Sequence, residues 1–139
     1  MKLLAFDYGR KRTGLAETDE LQIIASALQT IETPKLFEFL KFYLEKNSVE
    51  AFIVGEPKRL NNERTDSSDI VDQFVNRLRK VYPQIPIHRV DERFTSKMAF
   101  QTMIDSGIGK KKRRDKGTVD RISATLILQS YMESKQGGF

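Results

Sequence analysis

The chain contains no cysteine, so disulfides, thiolate zinc sites and thiol catalysis are excluded. Its single histidine, His88, lies inside an apolar-flanked run that reads as a strand, and its reading is structural. A covalent or histidine-based mechanism therefore finds no ready side chain. Long apolar runs are missing too. The opening Met1-Lys2-Leu3-Leu4-Ala5-Phe6-Asp7 is too short for a signal peptide, and nothing later reaches membrane-spanning length. A cytoplasmic protein with no membrane partner is expected. Internal repeats are absent as well, and the one compositional break is Lys110-Lys111-Lys112-Arg113-Arg114 with its flanking glycines. Residues 1–139 thus read as a single domain, long enough for a real core, with a mobile basic loop over about 108–117. An excess of 24 Lys and Arg over 19 Asp and Glu, a formal charge of +5, favours a polyanionic partner.

What is present reads as alternating strands and helices. Leu3-Leu4-Ala5-Phe6-Asp7 is a buried first strand, the segment near Thr13 to Thr18 a second, and Ile24 to Ile31 a third, paired as a meander. Thr33-Pro34 opens a helix with Leu36, Leu40, Tyr43 and Leu44 at helical spacing, Thr33 being the expected N-cap. Ala51-Phe52-Ile53-Val54-Gly55 is wholly apolar and so a strand covered on both faces. Ile70, Val71, Phe74, Val75 and Leu78 mark a second helix, and Ile87 to Asp91 a fifth strand. Thr95 or Ser96 caps a short helix ending near Gly107, and a last helix carries Ala124, Ile127, Leu128 and Tyr131 on its inward face. The order βββαβαβαα defines an α/β fold.

Three acids distant in sequence fall where such a fold gathers them. Asp7 ends the first strand, Glu92 follows the fifth, and Asp120 lies four residues before Ala124 on the inward face of the last helix. A carboxylate aimed at a core needs a partner, and a hard cation with oxygen ligands, Mg²⁺ or Mn²⁺, is such a partner. Hydrolysis of a phosphodiester needs an activated in-line water and a neutralised leaving oxygen, which carboxylate-held metals provide. Glu56, at the carboxyl end of the fourth strand beside the first, is a reserve ligand. Taken singly, each acid has a plainer reading: a polar strand end, an ion pair of Glu92 with Arg93, and a helix-start acid favoured by the macrodipole.

A meander of three strands followed by βαβαβ is the arrangement of the ribonuclease H-like fold. Four segments carry a closer likeness: Asp7-Tyr8-Gly9-Arg10-Lys11-Arg12-Thr13-Gly14, Val54-Gly55-Glu56-Pro57, Asp91-Glu92-Arg93-Phe94-Thr95-Ser96, and Lys116-Gly117-Thr118-Val119-Asp120 with Ala124 and Ile127-Leu128-Gln129-Ser130-Tyr131. In this order, from Leu3 to about Met132, the chain resembles the YqgF/RuvX family of bacterial nucleases, formerly named Holliday junction resolvases. The resemblance implies a mixed five-stranded sheet flanked by helices and divalent-metal dependence. It also implies an endonuclease role in maturing the 5′ end of 16S ribosomal RNA, with Asp7, Glu92 and Asp120 as the acidic positions. Glu56 departs from the apolar residue common between the glycine and proline of the middle motif.

Basic residues surround the proposed catalytic edge: Lys11, Arg12, Lys58, Arg59, Arg93 and Lys116, with Thr95 at a helix start whose amides suit a phosphate. Tyr8 beside Asp7 is read as covering the sheet edge rather than stacking on a base. Two other functions compete with an RNA nuclease. A resolvase acting on four-way DNA would use the same site and needs a two-fold dimer, whereas trimming one RNA end needs only a monomer. A non-catalytic nucleic-acid-binding module would be expected to lose a carboxylate, and all three are present. An actin-like or sugar-kinase-like phosphotransferase needs two lobes around its nucleotide, more than 139 residues supply.

Overall fold

The computed structural model describes residues 1–56, 66–91 and 116–136, with side chains at 1–56, 69–91 and 122–135. Strands β1 (Lys2–Tyr8), β2 (Arg12–Thr18), β3 (Ala25–Glu32), β4 (Val49–Glu56) and β5 (Ile87–Asp91) form one sheet in the order β3-β2-β1-β4-β5. The β1–β2 and β2–β3 pairs are antiparallel, while β1–β4 and β4–β5 are parallel. Helices α1 (Leu36–Lys46), α2 (Asp66–Val81) and α3 (Lys116–Gln136), with a short 3-10 helix at Thr33–Lys35, complete the described elements. The mixed five-stranded α/β architecture expected from the sequence is the one observed. The helix expected from Thr95 or Ser96 to Gly107 lies outside the described residues, as do residues 108–115 of the expected basic loop, while Lys116 and Gly117 belong to α3.

Central strands with an unbroken apolar run are those covered on both faces. Leu3, Leu4, Ala5 and Phe6 of β1 are all buried, and alternation sends them to two different cores. Leu4 and Phe6 join Phe52 and Val54 of β4 against α1 and α2, where Leu36, Leu40, Val71, Phe74, Val75 and Leu78 close the layer. Leu3 and Ala5 join Ala51 and Ile53 against α3, whose Ala124, Ile127, Leu128 and Met132 repeat at helical spacing. Phe74 is the hub of the first layer: its ring lies edge-on to Phe6 at 5.4 Å and to Phe37 at 5.9 Å, and stacks on Tyr8 at 4.3 Å.

At the amino end of β1 a polar cluster ties α1 to the sheet. The Tyr43 hydroxyl donates to Glu17 at 2.7 Å, and Lys2 Nζ donates to Glu17 at 3.2 Å and to Asn47 at 2.9 Å. No described helix is long and apolar enough to cross a membrane.

Replacing Phe74 with Ala removes the common partner of three aromatic rings and is expected to lower unfolding free energy by about 3–5 kcal/mol in urea titrations. Burial, then the bond to Glu17, push the Tyr43 phenol far above its ordinary value of 10.0. The unfolded chain releases that proton near pH 10 while the folded chain keeps it, so this contribution to stability is complete below about pH 10 and declines above it. Thermal melts from pH 9 to 12 should show a shallower decline in Tyr43→Phe than in the unaltered protein.

Candidate active site

Strand alternation sorts the acids at the carboxyl end of the sheet by face. Asp7 continues the Leu3, Ala5 series and so belongs to the α3 face, half-buried one residue beyond Phe6. Glu56 continues the Phe52, Val54 series and belongs to the opposite, α2 face. Its pairing agrees with that placement. Arg89 of β5 lies 3.8 Å through Nη2 from Glu56 Oε1, and its Nη1 donates to Asp72 of α2 at 2.7 Å. One guanidinium thus stands between two carboxylates and supplies the positive charge that Glu56 requires. Asp91, opposite Glu56 in the β4–β5 register, shares the parity of Arg89, whereas Val90 packs with the α3 layer. The reserve ligand Glu56 and the neighbour Asp91 are therefore turned away from the face of Asp7.

The α3 face has its own polar feature. Position 120 lies in the second turn of α3, four residues before Ala124 and seven before Ile127. Ser123 is 1% exposed, and its Oγ has no hydrogen-bond partner. A buried hydroxyl in that state is ordinarily satisfied by water or by the hydration shell of an ion. Among the described residues no three His, Asp or Glu side chains cluster as a metal site, and two of the three expected ligands fall beyond what is described. Glu92, Lys58, Arg59, Arg93 and Thr95 lie outside the described residues, and for Lys116 and Asp120 only the backbone within α3 is described.

Asp7 is followed by a turn that depends on Gly9. A Cβ at Gly9 would stand 2.5 Å from the Arg12 carbonyl oxygen, a contact no side chain tolerates. The turn carries Arg10 and Lys11, both exposed, and the half-buried Arg12. Tyr8 behaves as expected, its ring stacked on Phe74 at an interplanar angle of 10° and thus occupied by packing. His88 stacks on Tyr131 of α3 at 5.2 Å, consistent with a structural role.

Thr33 departs from expectation. The segment Thr33–Lys35 is a short 3-10 helix whose N-cap is Glu32, without a side-chain capping bond, and α1 begins only at Leu36. The Thr33 hydroxyl donates instead to the Gly9 carbonyl at 2.6 Å. Sequence reasoning missed this role, and Ser123 and the Arg89–Asp72 pair as well. The only advance signal was Ser123 standing three residues after Asp120.

The family model described as RuvX, Holliday junction resolvase, matches residues 1–134. The chain belongs to the RuvX family. A relative from Flavobacterium johnsoniae named "Putative pre-16S rRNA nuclease" is 53% identical over 135 residues, covering 97% of this chain and 98% of its own. A Phocaeicola vulgatus relative of the same name is 54% identical, covering 97% of each chain. Among solved structures, T. thermophilus RuvC in complex with a Holliday junction substrate superposes with a TM-score of 0.62 at 15% identity, over 99% of this chain and 97% of that one. Fowlpox virus resolvase with its substrate Holliday junction DNA gives 0.60 at 11% identity, over 98% and 99%. At such identities the two structures show that the RuvX chain has a RuvC-like, ribonuclease H-like fold.

The facial sorting has a measurable consequence. Glu56→Gln is expected to leave Mn²⁺ affinity within about twofold by isothermal titration and to lower stability by about 1 kcal/mol or less. A tenfold loss of Mn²⁺ affinity would return Glu56 to the ligand set.

Proposed function

We propose that this RuvX-family chain is a divalent-metal-dependent endonuclease that processes the 5′ end of pre-16S ribosomal RNA, with Asp7, Glu92 and Asp120 as its metal-holding carboxylates. One observation carries the assignment of the site: Asp7 belongs to the face of the sheet on which α3, the helix bearing Asp120, packs. Glu92 is chosen over Asp91 because Asp91 shares the parity of Arg89, away from the α3 layer that holds Val90. The substrate reading rests on relatives about half identical over nearly the whole chain, whose name specifies pre-16S rRNA.

The donor set fits Mg²⁺ or Mn²⁺: it is all oxygen, and the unpartnered Ser123 hydroxyl in the same layer suits a hydrated ion. When bound, a divalent ion supplies Lewis acidity that activates an in-line water and neutralises charge on the leaving oxygen. The chain's own residues do the positioning. Asp7 projects from β1, the central strand of the sheet, so its carboxylate is carried by a rigid element rather than a loop. Lys11 and Arg12 on the following turn hold backbone phosphate, and Lys58, Arg59, Arg93, Thr95 and Lys116 add to that surface. A nuclease of this kind works in the cytoplasm, and trimming one RNA end requires only a monomer.

The family description favours a second reading, resolution of four-way DNA junctions by a homodimer. Both are tested by offering a 16S precursor and a synthetic four-way junction to the unaltered protein and to Asp7→Asn. Mg²⁺- or Mn²⁺-dependent cleavage of the precursor is expected, falling at least about 100-fold in Asp7→Asn, as loss of several kcal/mol of metal catalysis requires. Circular dichroism should show the variant folded. Cleavage of the junction alone establishes the resolvase; metal-independent RNA binding without any cleavage leaves a binding module.

A further inference from the structure

The turn between β1 and β2 carries three consecutive cations and is latched from a distant part of the chain. Thr33 makes two bonds to it: its Oγ1 donates to the Gly9 carbonyl at 2.6 Å, and its backbone N–H donates to the Lys11 carbonyl at 2.9 Å. A third contact backs the latch. Thr13 Oγ1 is buried and lies 3.0 Å from Thr33 Oγ1. Because the one hydroxyl proton of Thr33 goes to Gly9, Thr13 is the donor in that pair. With Gly9 closed to any Cβ by the Arg12 carbonyl, both ends of the turn are fixed.

This bracing faces a groove of about 460 Å³ lined by Arg10, Lys11, Arg12, Glu32 and Pro34. The single acid among them, Glu32, is 3.4 Å from Lys35, and the exposed Arg10 and Lys11 give the groove its positive charge. Among the described residues its lining is dominated by side chains whose charge suits a backbone phosphate. A hairpin turn needs no such anchorage to connect two antiparallel strands. What the anchorage provides is a fixed position for the cations, so that less conformational freedom is lost when a polyanion docks.

We propose that the Arg10–Arg12 turn is a phosphate anchor for the nucleic-acid backbone, distinct from the carboxylate centre, and that Thr33 is its positioning residue. The anchor takes a phosphodiester group of the strand near the scissile bond, since the turn starts directly after Asp7 and Tyr8. It rests on the nuclease reading for its place in the reaction, whereas binding to it requires neither metal nor cleavage.

The test uses the full chain with fluorescently labelled single-stranded RNA and DNA oligonucleotides of one sequence, first in EDTA over a series of KCl concentrations, then with Mn²⁺ and a cleavable precursor. Thr33→Val keeps shape and deletes the hydroxyl; Thr33→Ser restores it. Thr33→Val is expected to weaken binding of both oligonucleotides about 5- to 10-fold and to raise KM alike, with kcat within about twofold, because phosphate contacts position without taking part in chemistry. Thr33→Ser should recover most of the loss. Arg10→Ala with Lys11→Ala should flatten the salt dependence by about 1.4 in log–log slope, about 0.7 per single-strand phosphate contact. Unaltered affinity and slope in Thr33→Val overturn the anchor. So does a fall in kcat that tracks a lowered melting temperature and is not rescued by serine, since Thr33 would then be only structural. A loss confined to RNA also overturns it, because the anchor reads phosphate and not sugar. The nuclease reading fails separately: RNA bound with the expected Thr33 dependence but never cut keeps the anchor and removes the enzyme.

Discussion

Everything at the catalytic edge depends on the two-residue period of a strand covered on both faces. In β1 that period divides Leu3, Ala5 and Asp7 from Leu4, Phe6 and Tyr8, and β4 and β5 repeat the division beside it. A one-residue slip would exchange the two sets and carry Asp7 into the aromatic layer around Phe74. The register is held by packing on both sides at once. Phe6, Phe52 and Phe74 interlock on one face, while small residues, Ala5, Ala16, Ala51 and Ala124, admit α3 closely on the other.

The two faces therefore have different chemistry at the same edge. On the α2 side Arg89 stands between Glu56 and Asp72, hydrogen-bonded to Asp72 alone, and the Tyr8 ring packs on Phe74. On the α3 side stand a half-buried Asp7 and the buried, unpartnered hydroxyl of Ser123.

Much of this was legible in the sequence, and the misses have identifiable causes. Strand and helix positions followed from apolar period and breaker residues, and each described strand lies within a residue or two of its expected span. The face of Glu56 could not be read because Ala51-Phe52-Ile53-Val54 is apolar throughout: a strand buried on both sides shows no alternation from which to count parity. The hydroxyl of Thr33 was misassigned for a different reason. The N-cap rule is local, and its competitor, the Gly9 carbonyl, is 24 residues away and reaches Thr33 only because β2 and β3 pair Arg12 with Glu32. Local signals give the right residue as important and the wrong partner when strand pairing intervenes.

The likeness to RuvC and the fowlpox resolvase at 15% and 11% identity makes sense on the same ground. What the fold demands is a pattern, apolar residues on both faces of β1 and β4 and a stripe on α3, and many sequences meet it without sharing residues. What the pattern leaves free is the rim. The cations of the β1–β2 turn, the latch of Thr33 and the pairing of Glu56 with Arg89 are not required to build the sheet, since the core closes without them. A shared fold can thus carry chains that differ at the rim. The period that fixes the face of Asp7 belongs to the sheet alone and is indifferent to what the turns and loops around it carry.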